Sequence, residues 1–313
     1  MQVVVTELIW PQGLEVLSQL GEVVYDPQLW KDPALDRKLA AADALIVRNQ
    51  TKVTPELISA CPNLKVIGRL GVGLDNIDLA AARELSIPVV FAKNANAISV
   101  AEYVVAAILS FSRKLYLATE DVKKGNWNRQ LFTGNEIYGR TLGLIGIGEI
   151  GTRLALRAKA FGMNIVGYDP FLAPYELVIK DAGVKLLSLE EVLAGADFLS
   201  LHVPLSNATR NLIDARRLNL MKPTAYIINT ARGGIIDEAA LYEALKNNRL
   251  AGAALDVLAI EPPTGSPMLE LGNVLISPHI AGLTEEAQVN TSVLVAEEVV
   301  KIIKGEPSCC LVR

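Results

Sequence analysis

Two histidines in 313 residues narrow the search for an acid or base. His202 stands in Leu201-His202-Val203-Pro204-Leu205 and His279 follows Ile276-Ser277-Pro278, each just past an apolar, strand-like run. One histidine at a strand end is ordinarily a packing residue. Two further strand ends favour His279. Asn229-Thr230-Ala231-Arg232-Gly233-Gly234 sets a guanidinium directly after an apolar run, with two glycines that keep the backbone thin. Its planar fork suits a carboxylate, which a lysine point charge cannot match. Leu255-Asp256-Val257-Leu258-Ala259-Ile260-Glu261-Pro262-Pro263 holds a carboxylate in a stiff loop after another run. A carboxylate beside an imidazole favours the charged ring and fixes its orientation. Taken singly, Arg232 reads equally as a surface ion-pair partner and Glu261 as a solvated loop residue. Together with His279 they can bind an anion, orient a ring and pass a proton, a set suited to hydride-transfer chemistry.

That chemistry needs a dinucleotide, and residues 141–151 are built to hold one. Leu142–Ile145 is an apolar run that stops at Gly146, and glycines follow at Gly148 and Gly151. Thr152–Phe161 is then rich in helix formers. Strand, glycine turn and helix form the context a dinucleotide fingerprint requires. Gly146 allows the tight turn, Gly148 the approach of a pyrophosphate, Gly151 close helix packing. The helix N-terminus offers unpaired N–H groups and a positive dipole end. A second strand, Asn164–Tyr168, ends at Asp169, eighteen residues past Gly151, where an acid can accept the ribose hydroxyls. Pro170 and Phe171 follow, with no Arg to receive a 2′-phosphate, so the expected cofactor is NAD rather than NADP.

The surrounding elements alternate strand and helix. Strand-like runs at Val3–Ile9, Val23–Tyr25, Ala44–Val47, Lys65–Leu70 and Pro88–Phe91 are separated by amphipathic segments, and from 141 the rhythm begins again. Alternation of this kind predicts parallel sheets covered by helices on both faces. The first turn, Trp10-Pro11-Gln12-Gly13, has no glycine fingerprint, so the first unit is expected to be the substrate side. Ser99–Ala118 predicts one long, nearly all-apolar helix, with Ser99 and Glu102 as its capping box. A polar loop with Trp127 and Phe132 follows. Leu283–Lys304 predicts a last helix that returns to the first domain. The expected domains are therefore 1–97 plus 284–313, discontinuous, and 98–283.

Composition sets the bounds. Half the chain is apolar, a fifth is charged and the net charge is −4, which makes no electrostatic case for nucleic acid or an anionic membrane. No apolar run is long enough to span a bilayer and the N-terminus has no basic leader. Cys61, Cys309 and Cys310 show no metal-ligand spacing, so no metal is expected, and their odd number suits a reducing cytoplasm.

Nearly the whole chain resembles the D-isomer-specific 2-hydroxyacid dehydrogenase family, and most of all its phosphoglycerate dehydrogenase branch. The resemblance rests on Gly68-Arg69-Leu70-Gly71-Val72-Gly73-Leu74-Asp75-Asn76-Ile77-Asp78, Asn96 and Ser99-Val100-Ala101-Glu102, and the Gly146 fingerprint. It continues through His202-Val203-Pro204-Leu205, Asn229–Gly234, Leu255-Asp256 with Glu261-Pro262, and Ser277–Gly282. It implies a Rossmann NAD-binding domain and a flavodoxin-like substrate domain with a cleft between them. His279 would be the acid in reduction and the base in oxidation, Glu261 the group that raises and orients its ring, and Arg232 the carboxylate anchor. The cofactor would be held at Gly146, Gly148, Glu149, Ile150, Gly151, Asp169, His202, Val203, Pro204, Thr230, Ala231, Arg232, Asp256, His279 and Gly282. The substrate would meet Arg48, Asn49, Arg69, Val72, Gly73, Asn96, Arg232 and His279. The family also implies a homodimer formed through residues 99–140. Relatives often carry Thr at the place of Val72 and Ser at that of Asn49, and a more basic run after the Trp127 position. A phosphorylated substrate therefore competes with glycerate, lactate or a sulfonate analogue. An NAD-sensing dimeric scaffold is the reading from another class. The chain stops soon after His279, so a C-terminal regulatory domain is not expected.

Overall fold

Continuous short apolar runs make strands that helices can bury on both faces, and this chain builds two parallel sheets from them. The computed structural model describes residues 1–312, the side chain of Leu177 excepted. It divides into two units, Met1–Asn96 with Leu283–Arg313, and Ala97–Gly282.

The first unit contains β1 (Gln2–Val5), β2 (Glu22–Tyr25), β3 (Ala44–Val47), β4 (Val66–Arg69) and β5 (Val89–Phe91), in the order β2-β1-β3-β4-β5. That is the flavodoxin-like doubly wound order. β1 was expected to run on to Ile9. It ends at Val5, although the Thr6 N–H still donates to the Ile46 carbonyl, and the chain then turns to bury Glu7. The helix Glu285–Lys304 covers one face of this sheet, packed on β4 and on the helix Pro11–Ser18. Its Thr284 hydroxyl caps the Ala287 N–H. Gly68 makes the close approach possible. A Cβ there would stand 2.9 Å from side-chain carbons of both Val295 and Val299.

The second unit contains β6 (Thr141–Ile145), β7 (Asn164–Tyr168), β8 (Lys185–Leu186), β9 (Phe198–Leu201), β10 (Tyr226–Asn229), β11 (Gly252–Leu255) and β12 (Val274–Ile276). Their order is β12-β11-β10-β9-β6-β7-β8, every pair parallel. The order in which successive strands are added reverses between β6 and β9. The glycine turn after β6 thus sits at the switch point, where doubly wound sheets bind ligands.

The long helix expected from Ser99 is two helices. Ala97–Arg113 comes first, Lys114 takes a left-handed conformation (φ 49°), and Leu115–Lys123 follows. Ser99 is buried inside the first helix rather than at its cap, and Glu102 pairs with Arg157 at 3.1 Å instead of reaching back. The first helix packs on the helix Glu149–Ala160. The second has no buried residue. No helix among the described residues is long and apolar enough to cross a membrane.

Candidate active site

The three fingerprint glycines are required for different reasons. Gly146 has φ 90°, and a Cβ on it would lie 2.5 Å from the His202 carbonyl oxygen and 3.0 Å from Val203 Cγ1. Gly151, in the first turn of the helix Glu149–Ala160, would place a Cβ 2.5 Å from the Gly146 carbonyl oxygen. Both are demanded by the packing of the chain on itself. Gly148 is not. Its φ is −78° and nothing lies within 4 Å of a Cβ built there. Open space over a bare backbone fits a bound group that approaches it closely. No side chain caps the helix, so its leading N–H groups, from Glu149 and Ile150 onward, remain for an anion. The Glu149 side chain itself turns to Arg153 at 3.1 Å.

Asp169 is half-buried beside this turn. Its Oδ2 accepts the Ile147 N–H at 2.9 Å and its Oδ1 the Phe171 N–H at 3.0 Å. The turn and the acid therefore hold each other in place. Next along the sheet, the His202 Nε2 lies 2.9 Å from the Ser200 hydroxyl. Burial pushes its pKa down to about 4, so the ring is neutral at pH 7. Its Nδ1 and the Thr230 hydroxyl are buried side-chain atoms with no hydrogen-bond partner. Two orphaned polar groups at neighbouring strand ends, together with the open space at Gly148, fit an NAD molecule lying across β6, β9 and β10. Val203 and Pro204 continue from His202, and the Pro204 carbonyl accepts the Thr209 hydroxyl.

Beyond β10, Asn229 shapes the next loop. Its side chain accepts the Ala231 N–H and donates to the Arg232 carbonyl. Arg232 is half-buried, with Nη1 2.6 Å from the Ala231 carbonyl. A Cβ on Gly233 would collide with the Leu258 carbonyl oxygen at 2.1 Å. The Arg232 loop therefore lies directly against the loop that carries Glu261. Glu261 in turn accepts the Leu258 N–H through Oε1 and contacts His279 Nδ1 through Oε2 at 2.9 Å. Both carboxylate oxygens are thus committed, which holds the imidazole in one orientation.

His279 is exposed and has φ 57°, a left-handed conformation unusual for a side-chain-bearing residue. A buried bracket maintains it. Asp256 is 1% exposed and its carboxylate accepts the Ile280 and Ala281 N–H groups, each at 2.8 Å, and the Ser277 hydroxyl at 2.6 Å. The His279 N–H returns to the Asp256 carbonyl. Since Ser277 donates to Asp256, Tyr103 donates to Ser277, at 2.5 Å. Burial, the main cause, and the Asp256 charge raise the Tyr103 pKa, against a lowering by the Ser277 bond. Asp256, expected on the cofactor side, thus spends both oxygens on the chain. The link from Tyr103 through Ser277 to Asp256 is not visible in the sequence, because only folding brings a helix position to the turn after β12.

The first unit holds its own cluster of anion-binding candidates. Glu7, 3% exposed, gathers the N–H groups of Arg48, Asn49, Gln50 and Thr51 on its two oxygens. Burial pushes its pKa up, but these bonds outweigh that and leave it below the usual carboxylate range. Arg48 Nη2 donates to Gln288 Oε1 at 2.5 Å. Burial lowers the Arg48 pKa and the Glu7 charge opposes this. Arg69 folds back to the Leu70 carbonyl, passing over Gly71, where a Cβ would meet its Nη1 at 1.5 Å. Val72 is exposed, Gly73 and Asn96 are half-buried, and Asn76 Nδ2 donates to the Thr51 carbonyl at 2.7 Å.

The family described as "D-isomer specific 2-hydroxyacid dehydrogenase, NAD binding domain" matches residues 105–281. A D-3-phosphoglycerate dehydrogenase of Methanocaldococcus jannaschii is 47% identical over 306 residues, 97% of this chain and 58% of that protein. The chain thus spans little more than half the length of that curated relative. A protein of Thermus thermophilus superposes with a TM-score of 0.91 at 33% identity, all of both chains being covered. A D-lactate dehydrogenase of Aquifex aeolicus, solved with NAD and lactic acid, does so at 0.85 and 33%, covering 98% of this chain and 96% of that one.

Proposed function

The chain belongs to the D-isomer specific 2-hydroxyacid dehydrogenase family, and from that premise we propose that it interconverts a small D-2-hydroxy acid and its 2-keto acid, with NAD as the redox partner. The observation that carries the reading is His279 Nδ1 at 2.9 Å from Glu261 Oε2, on a sheet whose switch point bears the Gly146 turn and Asp169. When bound, NAD supplies or accepts the hydride. Glu261 accepts a hydrogen bond from Nδ1–H and stabilises the charged ring. His279 Nε2 then gives a proton to the C2 oxygen during reduction and takes it back during oxidation. Arg232 grips the carboxylate with its fork and stabilises charge developing on the C2 oxygen. Asp169 would accept the ribose hydroxyls and disfavour a 2′-phosphate. Thr230, His202 and the amides of Glu149 and Ile150 would hold the rest of the cofactor. Ala231, Asp256 and Gly282 would border the nicotinamide.

For the substrate we propose 3-phosphoglycerate and 3-phosphohydroxypyruvate. The 47%-identical relative carries the phosphoglycerate dehydrogenase name, and Arg48 and Arg69 offer two guanidinium groups for a second anionic end. Asn49, Val72, Gly73 and Asn96 would complete that binding. Free thiols at Cys61, Cys309 and Cys310 support a cytoplasmic setting. A homodimer through residues 99–140 is supported by an apolar surface there, with Leu115 70%, Tyr116 75% and Trp127 76% exposed.

The test is NADH oxidation with phosphohydroxypyruvate, hydroxypyruvate, glyoxylate, pyruvate and sulfopyruvate. The highest kcat/KM is expected for phosphohydroxypyruvate. A preference for pyruvate or glyoxylate would keep the reaction and replace the substrate. No turnover with any of them, in a protein that binds NADH, would favour an NAD-sensing scaffold.

A further inference from the structure

Where the chain leaves the last helix of the first unit, three groups with no part in that chemistry converge. Glu298 lies on the inner face of the helix Glu285–Lys304 and is fully buried. Cys309 and Cys310 lie on the segment that leaves this helix and pairs with β5, where the Phe91 N–H donates to the Cys310 carbonyl and the Val312 N–H to the Val89 carbonyl. One ligand atom from each of the three lies within 4.8 Å of the others.

The two separations made by Cys309 match those of a coordination shell. The two Sγ atoms are 3.8 Å apart, and Cys309 Sγ is 3.6 Å from Glu298 Oε1. Two thiolates on a tetrahedral zinc at about 2.3 Å each stand roughly 3.8 Å apart. A thiolate and a carboxylate oxygen on the same ion, the latter at about 2.0–2.1 Å, stand roughly 3.6 Å apart. Glu298 also divides its two oxygens as a ligating carboxylate does. Oε2 is oriented by the Ser308 hydroxyl and the Cys309 N–H, while Oε1 faces the thiol. A positive charge is already drawn to that oxygen, since Lys301 Nζ sits 2.6 Å from Oε1 on a side chain 38% exposed that can withdraw into solvent.

The geometry points to a site for a thiophilic divalent cation such as zinc, held by Cys309 Sγ, Cys310 Sγ and Glu298 Oε1 with water in the fourth position. Each cysteine gives up its thiol proton to solvent on binding, and Lys301 leaves Oε1. The ion ties residues 305–312 to the helix, while the backbone ties them to β5. Adjacent cysteines alone do not suggest this, because the third ligand comes from a helix position eleven residues earlier.

The test uses the full chain, stripped with a chelator and kept reduced, then titrated with cadmium alone. One cadmium per chain should bind, with the ultraviolet absorbance of two thiolate-to-cadmium bonds. Cys309→Ser, at an exposed position, should lower affinity by more than about tenfold, the loss that follows removal of even an outer-shell partner. Cys310→Ser should do the same, and Cys61→Ala should leave binding intact. Lys301→Met should tighten binding, because the competing ammonium is gone. Zinc should raise the thermal midpoint of the wild type and not that of Cys309→Ser. Absence of the thiolate band, or its persistence at unchanged affinity in Cys309→Ser, would overturn the site. Unchanged or weaker binding in Lys301→Met would remove Glu298 from the shell.

Discussion

At the scale of single residues, the division of labour among Arg232, Glu261 and His279 can be separated by kinetics. His279→Gln keeps a hydrogen-bonding side chain but loses the titrating ring. It should lower kcat by about 10²–10⁴, the usual worth of a general acid, with the NADH dissociation constant nearly unchanged. Turnover close to wild type would remove His279 from the mechanism. Arg232→Lys replaces a fork with a point charge and should damage kcat/KM for the keto acid far more than cofactor binding. An equal kcat/KM would show that the guanidinium does not hold the substrate. The positions of these three residues were legible in the sequence because each follows an apolar run of parallel-strand character, Arg232 and His279 directly and Glu261 in the Pro-flanked loop beyond. The contacts of Glu7, Tyr103 and Ser277 were not. Four backbone N–H groups converge on Glu7 only once β1 and β3 pair, and Tyr103 reaches Ser277 across 174 positions of chain. The same holds for Glu298, whose neighbours Cys309 and Cys310 have no recognisable spacing by themselves.

At the scale of elements, the turn after β6 separates glycines needed by the fold from one, Gly148, that the fold itself does not require. Gly151→Ala forces a methyl against the Gly146 carbonyl and should destabilise by about 1–3 kcal/mol, an overpacking cost. Gly148→Ala adds its methyl to open space at an allowed φ. The thermal midpoint should stay put while NADH binding weakens by about tenfold or more, on the order of 1.4 kcal/mol. Circular dichroism melts and NADH fluorescence titration on the two variants distinguish the roles. NADH affinity unaltered in Gly148→Ala would place the dinucleotide elsewhere. Helix boundaries were the less legible part. Nothing in the apolar pattern of 99–118 marks Lys114 as a left-handed break, since lysine is an ordinary helix former. The start at Ala97 was hidden because Ser99 and Glu102 imitate a capping box, while the fold uses Glu102 to pair with Arg157.

At the scale of the whole molecule, pH and association supply the tests. His202 is neutral when folded, its pKa pushed by burial from 6.5 to about 4. The unfolded chain therefore takes up this proton first as pH falls. Stability conferred by the buried neutral ring is complete above pH 6.5, is lost progressively down to about 4, and falls no further from this cause below that. Denaturant melts across this window should slope more steeply for wild type than for His202→Gln, and equal slopes would contradict the assignment. The exposed apolar side chains of Leu115, Leu117 and Trp127 predict self-association. Leu117→Asp should shift the sedimentation mass toward that of one chain, and a wild type already at that mass would refute the dimer. The discontinuity of the first unit governs the order in which a ribosome delivers the parts. The Trp10 N–H waits for the Ser292 hydroxyl, 282 residues later, before its side of the sheet is covered. Residues 97–282 emerge complete in the meantime. Nascent chains arrested after Gly282, once clear of the exit tunnel, should thus resist protease across Ala97–Gly282 while their first 96 residues are still cleaved. Uniform cleavage of both parts would mean that the glycine-turn unit needs the last helix in order to fold.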